Sequence, residues 1–139
     1  MAKIDDLKET YLQLDQDLNL ESEEAIRQDQ LLTFEYEYKG SNAEVVIDTD
    51  EFTTGCPWTG LPDFGQVVIT YVPHERCLEL KSLKYYLMSY RNVSIVQEHA
   101  ANRILNDLVE ICQPIEMTVC LDYKVRGGLH TVVKVSSKH

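Results

Sequence analysis

No apolar run in these 139 residues comes near the roughly 20 that a membrane-spanning helix needs. The opening MAKIDDLKETY is charged where a secretion signal would carry its apolar stretch, so a soluble cytoplasmic protein is expected. The four cysteines, Cys56, Cys77, Cys112 and Cys120, form no CxxC pair and have no histidine at zinc-ligand spacing. Neither a metal centre nor a disulfide framework is expected, and the thiols read as free. Positive charge is scarce: 13 Lys and Arg against 23 Asp and Glu leave a formal charge of -10, which argues against non-specific binding to a phosphate backbone. An anionic ligand must therefore find a local basic patch. No GxGxxG follows a strand, so a Rossmann site is not expected. Repeats and low-complexity tracts are absent as well.

What is present is the length and apolar content of one domain with a real core. Ile4, Leu7, Tyr11, Leu14 and Leu18 recur in steps of three and four, which predicts an amphipathic N-terminal helix with one apolar seam. The polar, acidic stretch from Asn19 to Gln30 reads as a linker or a frayed turn. Leu32 to Lys39 alternates apolar and polar residues, and Gly40, Ser41 and Asn42 signal a turn into a second strand from Ala43 to Thr49, so these two strands are expected to pair as a hairpin. Gln66 to Val72 is a further strand. Glu79 to Arg91 changes to helical period, with Leu80, Leu83, Leu87 and Tyr90 on one face and Lys81, Lys84 and Arg91 within about 80° of one another. Ser94 and Gln97 have the spacing of a capping box for a second helix, whose apolar face is Ala101, Ile104, Leu105, Leu108 and Cys112. A second hairpin, Glu116 to Val125 and Leu129 to Ser136, turns at Arg126, Gly127 and Gly128. The order predicts an α+β fold, an antiparallel sheet with two helices on one face.

FTTGCPWTGLPDFGQ, Phe52 to Gln66, reads as a loop that holds one cysteine and one aspartate and is stiffened by Pro57 and Pro62, a candidate reactive site. Two readings fit it. Cys56 can be a positioned nucleophile with Asp63 as its acid, provided the site lowers a thiol pKa of roughly 8.5, at which only about 3 % is ionised at neutral pH. Equally, Cys56 can be a small buried apolar residue and Asp63 a turn residue.

Three stretches together change that balance. FTTGCPWTGLPDF, the helix ELKSLKYYLMSYR, and RNVSIVQEHAANRILNDL with a later RGG resemble the QueF-type nitrile reductases, NADPH-dependent 7-cyano-7-deazaguanine reductases of the tunnelling fold. The resemblance covers about Phe52 to Gly128. Residues 1–31 lie outside it and are taken as an N-terminal helix and linker preceding a reductase domain at 32–139.

By that resemblance Cys56 adds to the nitrile carbon to give a thioimide, and Asp63 donates the proton. Glu98 binds the guanine-like edge of the base beside Gln97, and Leu78, Glu79 and Leu80 match further substrate contacts. Lys81, Ser82, Lys84, Arg126 and Gly127 match cofactor positions, with the cations meeting the phosphates of NADPH and Gly127 and Gly128 letting backbone approach closely. The resemblance also implies subunits joined edge to edge into a barrel, as a pentamer or decamer, with no metal and no direct nucleic-acid partner. One departure stands out: the family usually has His-Glu where this chain has Gln97-Glu98, and glutamine cannot share a proton near neutral pH. Two alternatives are an amidine-forming relative that acts on the nitrile base in tRNA without NADPH, and a tunnelling-fold binding or assembly subunit in which Cys56 is inert.

Overall fold

Residues buried at every second position define the sheet. The computed structural model describes residues 1–16 and 19–138. Strands β2 (Val45–Gly55), β3 (Pro62–Val72), β5 (Glu116–Tyr123) and β6 (Val132–Lys138) form an antiparallel sheet in the order β2-β3-β5-β6. On β3 the residues Asp63, Gly65, Val67, Ile69 and Tyr71 are buried, and on β5 so are Met117, Val119, Leu121 and Tyr123. That set lies on one face, as a two-residue period requires. Helix α3 (Gln97–Cys112) covers it with Ala100, Ala101, Ile104, Leu105 and Leu108, while α2 (Leu80–Met88) contributes Leu83, Tyr86 and Leu87. An α+β fold with helices over one face of an antiparallel sheet is thus what the chain adopts. No helix among the described residues is long and apolar enough to cross a membrane.

Several sequence-based expectations need correction. The segment after Leu31 does not pair with β2: a short strand β1 (Thr33–Glu35) pairs antiparallel with β4 (Arg76–Leu78), as Phe34↔Cys77. The Gly40-Ser41-Asn42 signal is a real turn, with Gly40 at φ +85 and Asn42 at φ +55, but it joins strands of two different sheets. The partner of β2 is β3, in register from Val45↔Tyr71 to Gly55↔Pro62 with an irregularity between Thr49 and Phe52. Much of the segment read as a reactive loop is therefore strand, and only residues 56–61 connect β2 to β3.

Nor is the acidic stretch before β1 a free linker. Ile26 and Leu31 belong to the core, and Glu21 bridges the chain at residues 92–94 through Glu21 N–H to Asn92 C=O at 2.7 Å and Ser94 N–H to Glu21 C=O at 2.9 Å. The division placed at 31/32 does not fall on a break in packing. Helix α1 (Lys8–Gln16) follows a 3₁₀ turn at Ile4–Leu7, and Ile4, Tyr11, Leu12 and Leu14 are exposed; Leu18, the last residue of the expected seam, lies outside the described residues. The expected capping box at the second helix is also absent. Val96 is the N-cap of α3 and makes no side-chain cap bond, because the Gln97 side chain reaches the sheet instead. Leu80, placed on the apolar face of α2, is exposed.

Candidate active site

The β2–β3 hairpin puts Cys56 and Asp63 together. Thr54 faces Asp63 and Gly55 faces Pro62 in the register, so Cys56 is the first residue of the connection and Asp63 the second of the returning strand. The connection closes on itself through Cys56 N–H to Leu61 C=O at 2.9 Å and Gly60 N–H to Cys56 C=O at 2.8 Å, with Gly60 at φ +77. Backbone at residues 93–95 then clamps the base of the loop: Gly55 N–H donates to Val93 C=O at 2.8 Å. That same segment leads directly into α3. The first residues of α3 are thereby carried to the mouth of the hairpin, and Cys56, Asp63, Gln97, Glu98, Tyr123 and Arg126 line one cleft of about 250 Å³.

Arg126, on the turn after β5, donates from Nη1 to Asp63 Oδ1 and from Nη2 to Cys56 Sγ, the latter at 3.5 Å. Cys56 and Asp63 are buried, whereas Glu98 is exposed at the mouth. Burial pushes the Cys56 thiol up, but this is outweighed by hydrogen bonds from Thr59 and from the Trp58 backbone and by the charge of Arg126, so the thiol lies below its ordinary value. Arg126 is raised in turn, first by its bond to Asp63. Gln97 spends both amide hydrogens on backbone carbonyls, Leu121 at 2.9 Å and Thr131 at 2.8 Å, which fixes the orientation of the amide and leaves its oxygen to face the cleft.

Tyr123 was not singled out in the sequence, yet it is the wall of the site. Its hydroxyl pairs with Thr54 Oγ1 at 2.6 Å in a buried contact, and its ring lies across Gly65, where a Cβ would come within 2.4 Å of Tyr123 Cδ1. The signal was there: a glycine at an inward position of β3, opposite a large aromatic on β5, marks a place where a ring needs the space. Gly55 plays a similar part, since a Cβ on it would meet Leu20 Cδ2 at 2.6 Å.

The remaining expected site residues lie elsewhere on the chain. Glu79 is the N-cap of α2 and accepts from Ser82 N–H at 2.7 Å and Lys81 N–H at 2.8 Å, bonds that hold its carboxyl below the usual range. Ser82 donates to Glu79 C=O and accepts from Leu32 N–H, and Leu78 is buried with its N–H on the Tyr71 hydroxyl. Lys81 and Leu80 are exposed, and Lys84 lines a second, more apolar cleft of about 660 Å³ between α2 and β2, together with Arg91. Gly127 and Gly128 form the exposed turn at φ +55 and +80, beyond Arg126.

Residues 62–139 match the family model described as QueF-like protein. The chain is 55% identical over 108 residues to the NADPH-dependent 7-cyano-7-deazaguanine reductase of Caldanaerobacter subterraneus subsp. tengcongensis, spanning 78% of this chain and 81% of that one. It is 50% identical over 103 residues to the protein of the same name from Chlorobaculum tepidum, spanning 74% and 88%. Among solved structures, the apo archaeosine synthase QueF-Like superposes with a TM-score of 0.66 over 71% of this chain and 97% of that one, at 23% identity, a likeness of fold alone. With more than half of its residues inside the family model and full-scale relatives at this level of identity, the chain belongs to the QueF family and has its tunnelling fold.

Proposed function

We infer that the chain reduces the nitrile of 7-cyano-7-deazaguanine to the aminomethyl product, with NADPH as reductant, through a thioimide on Cys56. The observation that carries this reading is that Cys56, Asp63, Gln97 and Glu98, drawn from two separate stretches of sequence, line a single cleft. The Cys56 thiol gives its proton to the Asp63 carboxylate as the sulfur adds to the nitrile carbon, and Asp63, now the buried acid at hand, passes that proton to the nitrile nitrogen. Taking the thioimide to CH2NH2 then consumes two hydrides and two further protons, one of which goes to the sulfur as the cysteine leaves as its thiol; NADPH supplies the hydrides. Glu98, at the open side, accepts N–H groups of the base as a charged pair of acceptors. The cations on α2, Lys81 and Lys84, suit the phosphates of the dinucleotide.

A second copy of the chain is part of the reading. The lysine-bearing cleft and the Cys56 cleft are separate on one subunit, β2 and β6 are sheet edges, and Trp58 and Leu129 stand exposed at the rim of the Cys56 cleft. Joining sheets edge to edge into a barrel would cover those edges and bring a neighbour's surface to the cleft. A cytoplasmic setting goes with a reductant of this kind and with four free thiols. In the test, the wild type oxidises NADPH only when the nitrile is added, and mass spectrometry finds an adduct that Cys56→Ala cannot form although it still binds the base. An adduct formed without any NADPH oxidation, released as an amidine on addition of ammonia, would overturn the reductase reading in favour of the amidine-forming one.

A further inference from the structure

We propose that Arg126 is the positioning residue of the Cys56–Asp63 pair, holding the carboxylate with one arm of its guanidinium and favouring the cysteine thiolate with the other. The proposal rests on Cys56 being the nucleophile. Arg126 sits on the turn closed by Arg126 N–H to Leu129 C=O and Leu129 N–H to Arg126 C=O, both at 2.9 Å, so its backbone is fixed while its side chain spans the cleft. A guanidinium presents its donors in a rigid planar fork, and here Nη1 meets Asp63 Oδ1 while Nη2 meets Cys56 Sγ at 3.5 Å. A neutral thiol is a feeble acceptor, whereas a thiolate is a full anion. The contact to sulfur therefore strengthens when the proton leaves, which is what a nucleophile in a buried position requires.

The other charges facing Cys56 do not supply that effect. Asp63 and Glu98 line the cleft and oppose a second anion, and the phenol of Tyr123 is pushed up to about 12, first by burial, and stays neutral. Lys124 lines the cleft from the end of β5, but Arg126 is the cation in hydrogen-bond contact with the sulfur. By the same geometry Arg126 stands apart from Lys84, which opens onto the other cleft, so a role confined to cofactor phosphate leaves its two contacts unexplained.

The experiment is alkylation of the full chain by iodoacetamide across pH, with the Cys56 peptide quantified by mass spectrometry so that Cys77, Cys112 and Cys120 do not blur the rate. Wild type, Arg126→Gln and Arg126→Lys are compared, with circular dichroism as the folding check and NADP+ affinity titrated in parallel. In Arg126→Gln the Cys56 profile should move to higher pH, and each unit of that move lowers the neutral-pH rate about tenfold. Arg126→Lys should recover part of the loss, because charge is kept while the fork is not. A shifted profile upholds the assignment whether or not NADP+ affinity moves; an unshifted profile, with or without a fall in NADP+ affinity, overturns it. Failure of the underlying reading looks different. Cys56 would then alkylate in an Arg126-dependent way and yet form no adduct with 7-cyano-7-deazaguanine.

Discussion

Two buried aspartates in this fold are each held by an arginine, and the two pairs do opposite jobs. Asp107 and Arg103 are four residues apart on α3, joined at 2.8 Å, with side chains 8% and 27% exposed. Around them Tyr86 donates to Asp107 at 2.7 Å, Tyr90 pairs with Tyr86 at 2.8 Å, and Arg103 reaches Gln28 and Glu23 on the N-terminal segment. Burial drives both tyrosines up, so they remain neutral donors. Every member has a partner, and the cluster rivets α2, α3 and residues 23–28 together. Asp63 and Arg126 are 63 residues apart, their side chains 5% and 50% exposed, and one of the arginine's two contacts is a sulfur. On the proposed function, a buried acid beside the nucleophile, held by a half-exposed arginine, serves the site, while an acid held by both a tyrosine and an arginine within the core serves the frame.

The sharpest break of the comparison is Asp63→Asn against Asp107→Asn. Asp63→Asn should slow reduction by roughly 10²- to 10⁴-fold, the scale of a lost general acid, and leave thermal stability close to wild type because Arg126 is half in water. Single-turnover kinetics would measure it, and an unchanged hydride-transfer rate would make Asp63 part of the frame. Asp107→Asn should do the reverse. It costs about 2 kcal/mol of stability, the scale for hydrogen bonds to a charged group, and appears as a fall in Tm with kcat per folded molecule retained. The smallest effect concerns the open side of the cleft: Glu98→Leu should weaken base binding about tenfold in calorimetric titration, at the low end for a charged acceptor because the residue is exposed. Wild-type affinity would leave Glu98 as a helix-start residue and no more.

The difference between frame and site also explains what could be read from the chain. Period-two burial in β3 and β5 and the apolar face of α3 were legible, since each repeats over several turns or pleats. Pairing was not. A strong turn signal at residues 40–42 outranked the weaker fact that β2 continues to Gly55, where Phe52 and Thr54 keep the inward alternation. The N-terminal stretch looked like a linker because Ile26 and Leu31 are the buried apolar residues it sends into the core, too few to make a period, and its other anchors are polar or backbone contacts. At the site, Cys56, Asp63 and Glu98 stood out because a motif held them, while Tyr123 and Thr54 act through a contact 69 residues apart that no local pattern announces. Arg126 was legible as a cation but not as a neighbour of the thiol, for the same reason.

The tethered amide of Gln97 sets the polarity of the seat it lines. Its hydrogens are committed to the sheet, so what it offers inward is a lone-pair oxygen whatever the acidity of the medium. An imidazole in that place would change from acceptor to donor within the range in which enzymes are assayed. On the proposed function, the pH–rate profile should then show one fewer bend than with an imidazole there, and a ligand N–H at that point should meet an acceptor on both sides of neutrality.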